Sequence, residues 1–102
     1  IEKLLNFEEV DGVMIGPYDM AGSLGVPGQT THPKVIEASR IVIDACERFQ
    51  KSCGTQVTDT TVQGIQSLFE LGYTYAILGS DLFVLWKWAE QMGELMESMR
   101  KH

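Results

Sequence analysis

The sequence predicts an α/β fold in which short parallel strands alternate with helices. Three observations carry that reading. Three segments of strand length, Val13 to Ile15, Cys53 to Val57 and Tyr75 to Leu78, are separated by longer stretches whose apolar residues recur at helical spacing. The first run has no polar residue, which suits a strand covered on both faces. Each helical stretch opens on capping chemistry: Thr31-His32-Pro33, Thr58-Asp59-Thr60-Thr61 and Gly79-Ser80-Asp81.

Taken in order, Ile1 to Phe7 reads as the last turns of a helix that no capping residue precedes, so the chain is expected to be part of something longer. Glu8 to Gly12 is a polar connection into the first strand. Gly16 to Gly25 follows as a loop, and a turn-rich stretch from Val26 to Pro33 leads to the next helix. Pro33 to Gln50 is the clearest helix. Val35, Ala38, Val42, Ala45 and Phe49 form its buried stripe, Ile36, Ile41 and Ile43 widen it, and Glu37, Arg40, Asp44, Glu47 and Arg48 form the solvated face. After the second strand, a helix carries Val62, Ile65, Leu68, Phe69 and Leu71 and ends at Gly72 as a left-handed cap. The last helix places Leu82, Leu85, Ala89, Met92, Met96 and Met99 on one stripe. Phe83, Trp86, Trp88 and Leu95 lie off it, so this helix is expected to have two partners.

The totals narrow the function classes. A chain of 102 residues is at most one domain, and its net charge of −6 argues against nucleic acid or an anionic membrane as a partner. The most apolar stretch is broken by Asp81 and Lys87, so no membrane span is expected, and no signal peptide is visible. Cys46 and Cys53 are too few for a disulfide framework or a zinc site and read as reduced packing thiols of a cytoplasmic protein.

The helix lengths and short turns fit a (β/α)8 barrel with right-handed crossovers. A complete barrel needs about 250 residues, and this chain supplies three strands. Three such strands leave two unpaired edges and an apolar inner face in water. Either the natural protein extends upstream, which is the preferred reading, or copies assemble to cover those surfaces.

Asp19 falls just past the C-terminal end of the first strand, where ligand sites of parallel α/β folds gather. From the residues alone it either binds a cation or caps the loop by accepting backbone N–H bonds. The run Asp11-Gly12-Val13-Met14-Ile15-Gly16-Pro17-Tyr18-Asp19, then Gly22-Ser23-Leu24-Gly25, then His32-Pro33 resembles the HpcH/HpaI aldolase family of the pyruvate/phosphoenolpyruvate barrels. Leu71-Gly72-Tyr73 and Leu78-Gly79-Ser80-Asp81 look like that family's last strand and its turn. The resemblance runs through nearly the whole chain and implies the C-terminal part of one barrel domain, strands six to eight with their helices, over residues 1–102.

What the resemblance implies is a class II aldolase acting on 2-oxo acids. A magnesium, manganese or cobalt ion chelates pyruvate and stabilises the enolate that adds to an aldehyde, or is released in cleavage. The metal-ligand role falls on Asp19, and backbone N–H groups around Tyr18 and Asp19 face the pyruvate carboxylate. Family members often read Asp-Leu-Ser where this chain has Asp19-Met20-Ala21. The second metal ligand, the pyruvate-binding Arg and the catalytic His come from earlier strands; Glu2, Glu8, Glu9, Arg40, Arg48 and Arg100 do not substitute for them. The last helix, 82–99, is expected at a subunit interface of a homo-oligomer.

Other residues have plainer roles. Asp81 and Asp59 read as helix caps, and His32 caps or packs. Gly22, Gly25 and Gly28 hinge a lid or serve turns, and Met92, Met96 and Met99 line a core or an interface. A non-catalytic βα assembly module, inactive alone, is the alternative function. A barrel with a phosphate site is disfavoured, because the turns after the second and third strands carry Asp59 and Asp81 and no cation beside them.

Overall fold

The computed structural model describes residues 1–57 and 60–100. The elements run α1 (Glu2–Leu5), β1 (Gly12–Ile15), α2 (Pro17–Ser23), α3 (Pro33–Arg48), β2 (Ser52–Gln56), α4 (Val62–Leu71), β3 (Tyr75–Ile77) and α5 (Asp81–Arg100). The strands form one sheet in the order β1-β2-β3, parallel throughout. The expected alternation therefore holds, with strand bounds moved by a residue at each of the three strands. The expected caps at Thr58 and Asp59 lie outside the described residues.

Local chemistry explains the main boundaries. Pro33 is pre-set for the first turn of α3, and the His32 ring nitrogen Nδ1 accepts from the Lys34 amide at 3.1 Å. The far end of α3 turns at Gln50, which holds a left-handed φ of 56°, while the Lys51 amide reaches back to the Cys46 carbonyl. Thr61 caps α4 by accepting from the Gly64 amide, and Gly72 closes it at φ 112°. At α5 the Asp81 carboxylate accepts from the Leu82 amide at 2.8 Å.

Helices cover one face of the sheet only. The register pairs Ile15 with Thr55 and Thr55 with Ala76, and these face the helices together with Val13 and Cys53. Ile43, Ala45 and Cys46 of α3 pack there with Leu5 and Tyr73. A second small cluster, Ala21, Val26 and Val35, joins α2 to α3. The α3 stripe is rotated from the expected one: Ser39, Ile43 and Cys46 are buried, whereas Ile41 is 55% exposed. Ile41 points away because positions 39, 43 and 46 already fill the face toward the sheet.

The opposite face carries Met14, Gly54 and Tyr75 side by side in register, with Ile77 beyond them. Met14, Tyr75 and Ile77 are exposed. The Tyr75 ring lies flat over Gly54 and its hydroxyl donates to the Val13 carbonyl at 2.9 Å, so one side chain crosses all three strands. Helix α5 leaves the body, and none of its described residues is buried. It stretches the molecule to 62 × 26 × 22 Å with a radius of gyration of 17.1 Å, against about 13 Å for a compact domain of this length. No helix among the described residues is long and apolar enough to cross a membrane.

A Cβ on Gly54 would stand 2.2–2.4 Å from three atoms of the Tyr75 ring. Gly54→Ala is therefore expected to cost about 1–3 kcal/mol by overpacking. In a Tyr75→Ala background the same change should cost far less. A double-mutant cycle by denaturant unfolding reads the difference, and equal costs in both backgrounds would reject the contact.

Candidate functional site

The C-terminal ends of β1, β2 and β3 open on one edge of the sheet. Tyr18 follows β1, Val57 follows β2, and Leu78 and Gly79 follow β3. With Phe83, Trp86 and Lys87 of α5 they line a cleft of about 590 Å³. That size suits a small organic ligand. The Lys87 ammonium donates to the Thr60 hydroxyl at 3.1 Å across this cleft.

The stretch after β1 is not the open loop that its glycines suggest. Gly16 takes an extended conformation (φ −90°, ψ 105°), Pro17 occupies the first helical position, and the Met20 amide bonds to the Gly16 carbonyl at 2.9 Å. Pro17 supplies the helical φ in advance, and a seven-residue helix, α2, follows. Its first turn lacks a side-chain cap. The amides of Tyr18 and Asp19 precede the first intrahelical donor, Met20, and so have no acceptor within the helix.

Asp19 sits in that first turn, exposed, with one carboxylate oxygen folded back to within 3.0 Å of where a Gly16 Cβ would be. It is not the cap that the plainer reading allowed. Its chemistry, a hard oxygen donor open to solvent beside unpaired N–H groups, fits one corner of a site for magnesium, manganese or a like cation. Among the described residues no three His, Cys, Asp or Glu side chains gather to complete such a site. Ala21 is fully buried in the second core cluster and contributes packing.

The remaining candidates fall away from this edge or beside it. His32 is occupied by its own helix cap, and Asp81 by the start of α5. Asp59 lies outside the described residues. Two residues near the edge carry no signal in the sequence. Lys87 reads as a break in an apolar stretch. Thr55 reads as an ordinary strand threonine, yet it is 2% exposed and its hydroxyl donates to the Ile15 carbonyl at 2.9 Å. A polar residue between otherwise apolar helix-facing positions was the one available hint.

Cys46 and Cys53 both lie in the main core, 1% exposed. Burial, with the Cys46 thiol alongside, pushes the Cys53 thiol up to about 12.

Comparison with known proteins places this geometry. No protein-family model matches the chain. It is 34% identical over 92 residues to a pyruvate aldolase of Rhizobium etli, covering 90% of this chain and 35% of that protein. It is 30% identical over 82 residues to a 5-keto-4-deoxy-D-glucarate aldolase of Salmonella paratyphi C, covering 80% of this chain and 31% of the relative. The chain thus spans about a third of the length of the curated relatives it matches. Among solved structures, an HpcH/HpaI aldolase from Desulfitobacterium hafniense superposes with a TM-score of 0.82 at 26% identity, over 94% of this chain and 37% of that one. An HpcH/HpaI aldolase/citrate lyase family protein from Burkholderia cenocepacia gives 0.81 at 27%, with the same two coverages.

The thiols give a prediction of their own. With its folded value raised to about 12, Cys53 is held as the neutral thiol through pH 9, so native-state labelling by a disulfide reagent should stay slow from pH 7 to 9. A thiol that binds its proton more tightly when folded stabilises the fold below the unfolded value. That stability should be lost as pH rises from about 9 toward 12. Fast native labelling at pH 8 would show the thiol is not buried as described.

Proposed function

We propose, from the premise that the chain is related in sequence and fold to the HpcH/HpaI aldolases, that it supplies part of the active site of a carbon–carbon lyase acting on 2-oxo acids. The observation that carries the reading is Asp19: an uncommitted carboxylate at a strand C-terminal end, beside two unpaired backbone amides. In this reading the three strands are strands six to eight of a (β/α)8 barrel. The exposed face with Met14, Tyr75 and Ile77 is its interior, covered by the remaining strands.

Asp19 holds a divalent ion, magnesium, manganese or cobalt, together with ligands from other strands. That ion, when bound, would supply the positive charge that stabilises the negative charge developing on pyruvate as a base from another strand takes its methyl proton. The chain's own groups do three things. The Asp19 carboxylate fixes the cation. The Tyr18 and Asp19 amides, at the positive end of α2, donate hydrogen bonds to the pyruvate carboxylate. The cleft between Tyr18, Leu78 and α5 gives the aldehyde a largely apolar wall.

Helix α5 belongs to the same reading. Leu82, Leu85, Trp86, Trp88, Met96 and Met99 are all more than half exposed. Residues 82–99 dock on a second copy in a homo-oligomer. Two buried reduced thiols accord with a cytoplasmic protein.

Exchange of the pyruvate methyl protons for deuterium, followed by NMR on the complete protein, tests the site. The expected result is exchange with magnesium or manganese, its loss with chelator, and a fall of 100-fold or more in Asp19→Ala, roughly the effect of removing one electrostatic stabiliser of the transition state. Gly16→Ala should keep the fold but push the carboxylate aside, reducing exchange and weakening the metal. Undiminished exchange in Asp19→Ala would remove Asp19 from the site.

A further inference from the structure

We infer that Thr55 is a positioning residue for Asp19, acting through the Ile15 carbonyl; the inference rests on the proposed role of Asp19. The register places Thr55 directly beside Ile15, the last residue of β1. The Thr55 hydroxyl donates to the Ile15 carbonyl at 2.9 Å, and both residues are buried, at 2% and 5% exposure. A hydroxyl in that position costs free energy unless it is bonded. A valine would fill the same volume without the cost, as the apolar Val13, Ile15, Cys53 and Ala76 do on the same face.

What the hydroxyl holds is the plane of the peptide joining Ile15 to Gly16. The next residue is the extended cap of α2, and Asp19 stands on the first turn beyond it, its carboxylate folded back against Gly16. Rotation of that peptide swings the start of α2 and carries the carboxylate with it.

The grip has a second point. Ser39 and Tyr73 are buried, and with Thr55 they line one small pocket between α3 and the sheet. Ser39 also donates to the Met20 sulfur at 3.5 Å. One buried polar strip thus touches Ile15 before the α2 turn and Met20 within it. Asp19 lies between the two contacts. Outer-shell partners of this kind govern how well a ligand is presented to its metal.

The test is manganese affinity, read by electron paramagnetic resonance on the complete protein for wild type, Thr55→Val, Thr55→Ser and Asp19→Ala, with thermal unfolding of each. The expected result is weakening of about 10-fold or more in Thr55→Val, near-wild-type affinity in Thr55→Ser, and loss in Asp19→Ala. Amide hydrogen exchange at Met20, whose N–H bonds to the Gly16 carbonyl, should quicken in Thr55→Val alone of the two Thr55 variants. If valine prevents folding, Thr55→Ala is used with the same expectation. Wild-type affinity and exchange in the hydroxyl-free variant, with loss in Asp19→Ala, overturns the positioning role and leaves the proposed function standing. Unchanged affinity in Asp19→Ala overturns the reading of Asp19 and this inference with it.

Discussion

The register between β1 and β2 is the constraint on which the rest depends. It sets Ile15 against Thr55 and Met14 against Gly54, so one strand face meets the helices and the other stays bare. Because side chains alternate along a strand, a slip of one residue in β1 against β2 would send Met14 into the core and Ile15 out of it. The core residues of α3 would then lose Val13 and Ile15. The same register fixes where β1 ends, hence where α2 begins and where Asp19 stands. Structure and candidate chemistry are joined at one pair of neighbouring residues.

The apolar surface is distributed in a way that a lone three-stranded sheet does not explain. Burying one large apolar side chain is worth roughly 1.5–3 kcal/mol. Met14, Tyr75 and Ile77 on the bare face and Leu82, Val84, Leu85, Trp86 and Trp88 on α5 forgo much of that. The two groups differ in kind. The bare face is crossed by the Tyr75 side chain, whose hydroxyl is tied to Val13, so it already has one fixed element of an interior layer. Among the described residues, helix α5 is tied to the rest by Lys87 to Thr60, and its apolar residues point in several directions. A preformed layer suits neighbouring strands of the same sheet, and a helix exposed all round suits embedding between separate surfaces.

Much of the fold was legible because its signals are local. Pro33 with His32, Thr61 and Gly72 each act within a turn of themselves, and each is found in place, while the 3-4 spacing of α3 marked the helix but not its buried stripe. Helix α2 was not legible. Seven residues are too short for periodicity to show, and Gly22 and Gly25 read as loop although the first lies within the helix. Ile41, expected to widen the buried stripe, is exposed while Ser39 is buried, because a hydroxyl with a partner can be satisfied inside, and only the tertiary arrangement supplies that partner. At the site, Asp19 was visible from its place after an apolar run and from the surrounding motif. Thr55 and Lys87 were not, since Thr55 acts across 40 residues of chain and Lys87 across 27.

That division follows from how parallel α/β sites are built. Each strand delivers its chemistry at its C-terminal end, and a complete site draws single residues from several strands. One strand end therefore carries a motif that can be read locally, here Gly16 to Asp19. Whether its carboxylate arrives in the right place is decided by the adjoining strand. Threonine at position 55 is a small polar change in an apolar layer, but its hydroxyl donates to the last carbonyl of β1. A rigid support for a short helix is needed most where that helix has no capping side chain of its own, and α2 begins on glycine. The missing cap leaves the amides of Tyr18 and Asp19 without an acceptor in the helix, and in the proposed reading the buried hydroxyl supplies the anchoring that a cap would have given.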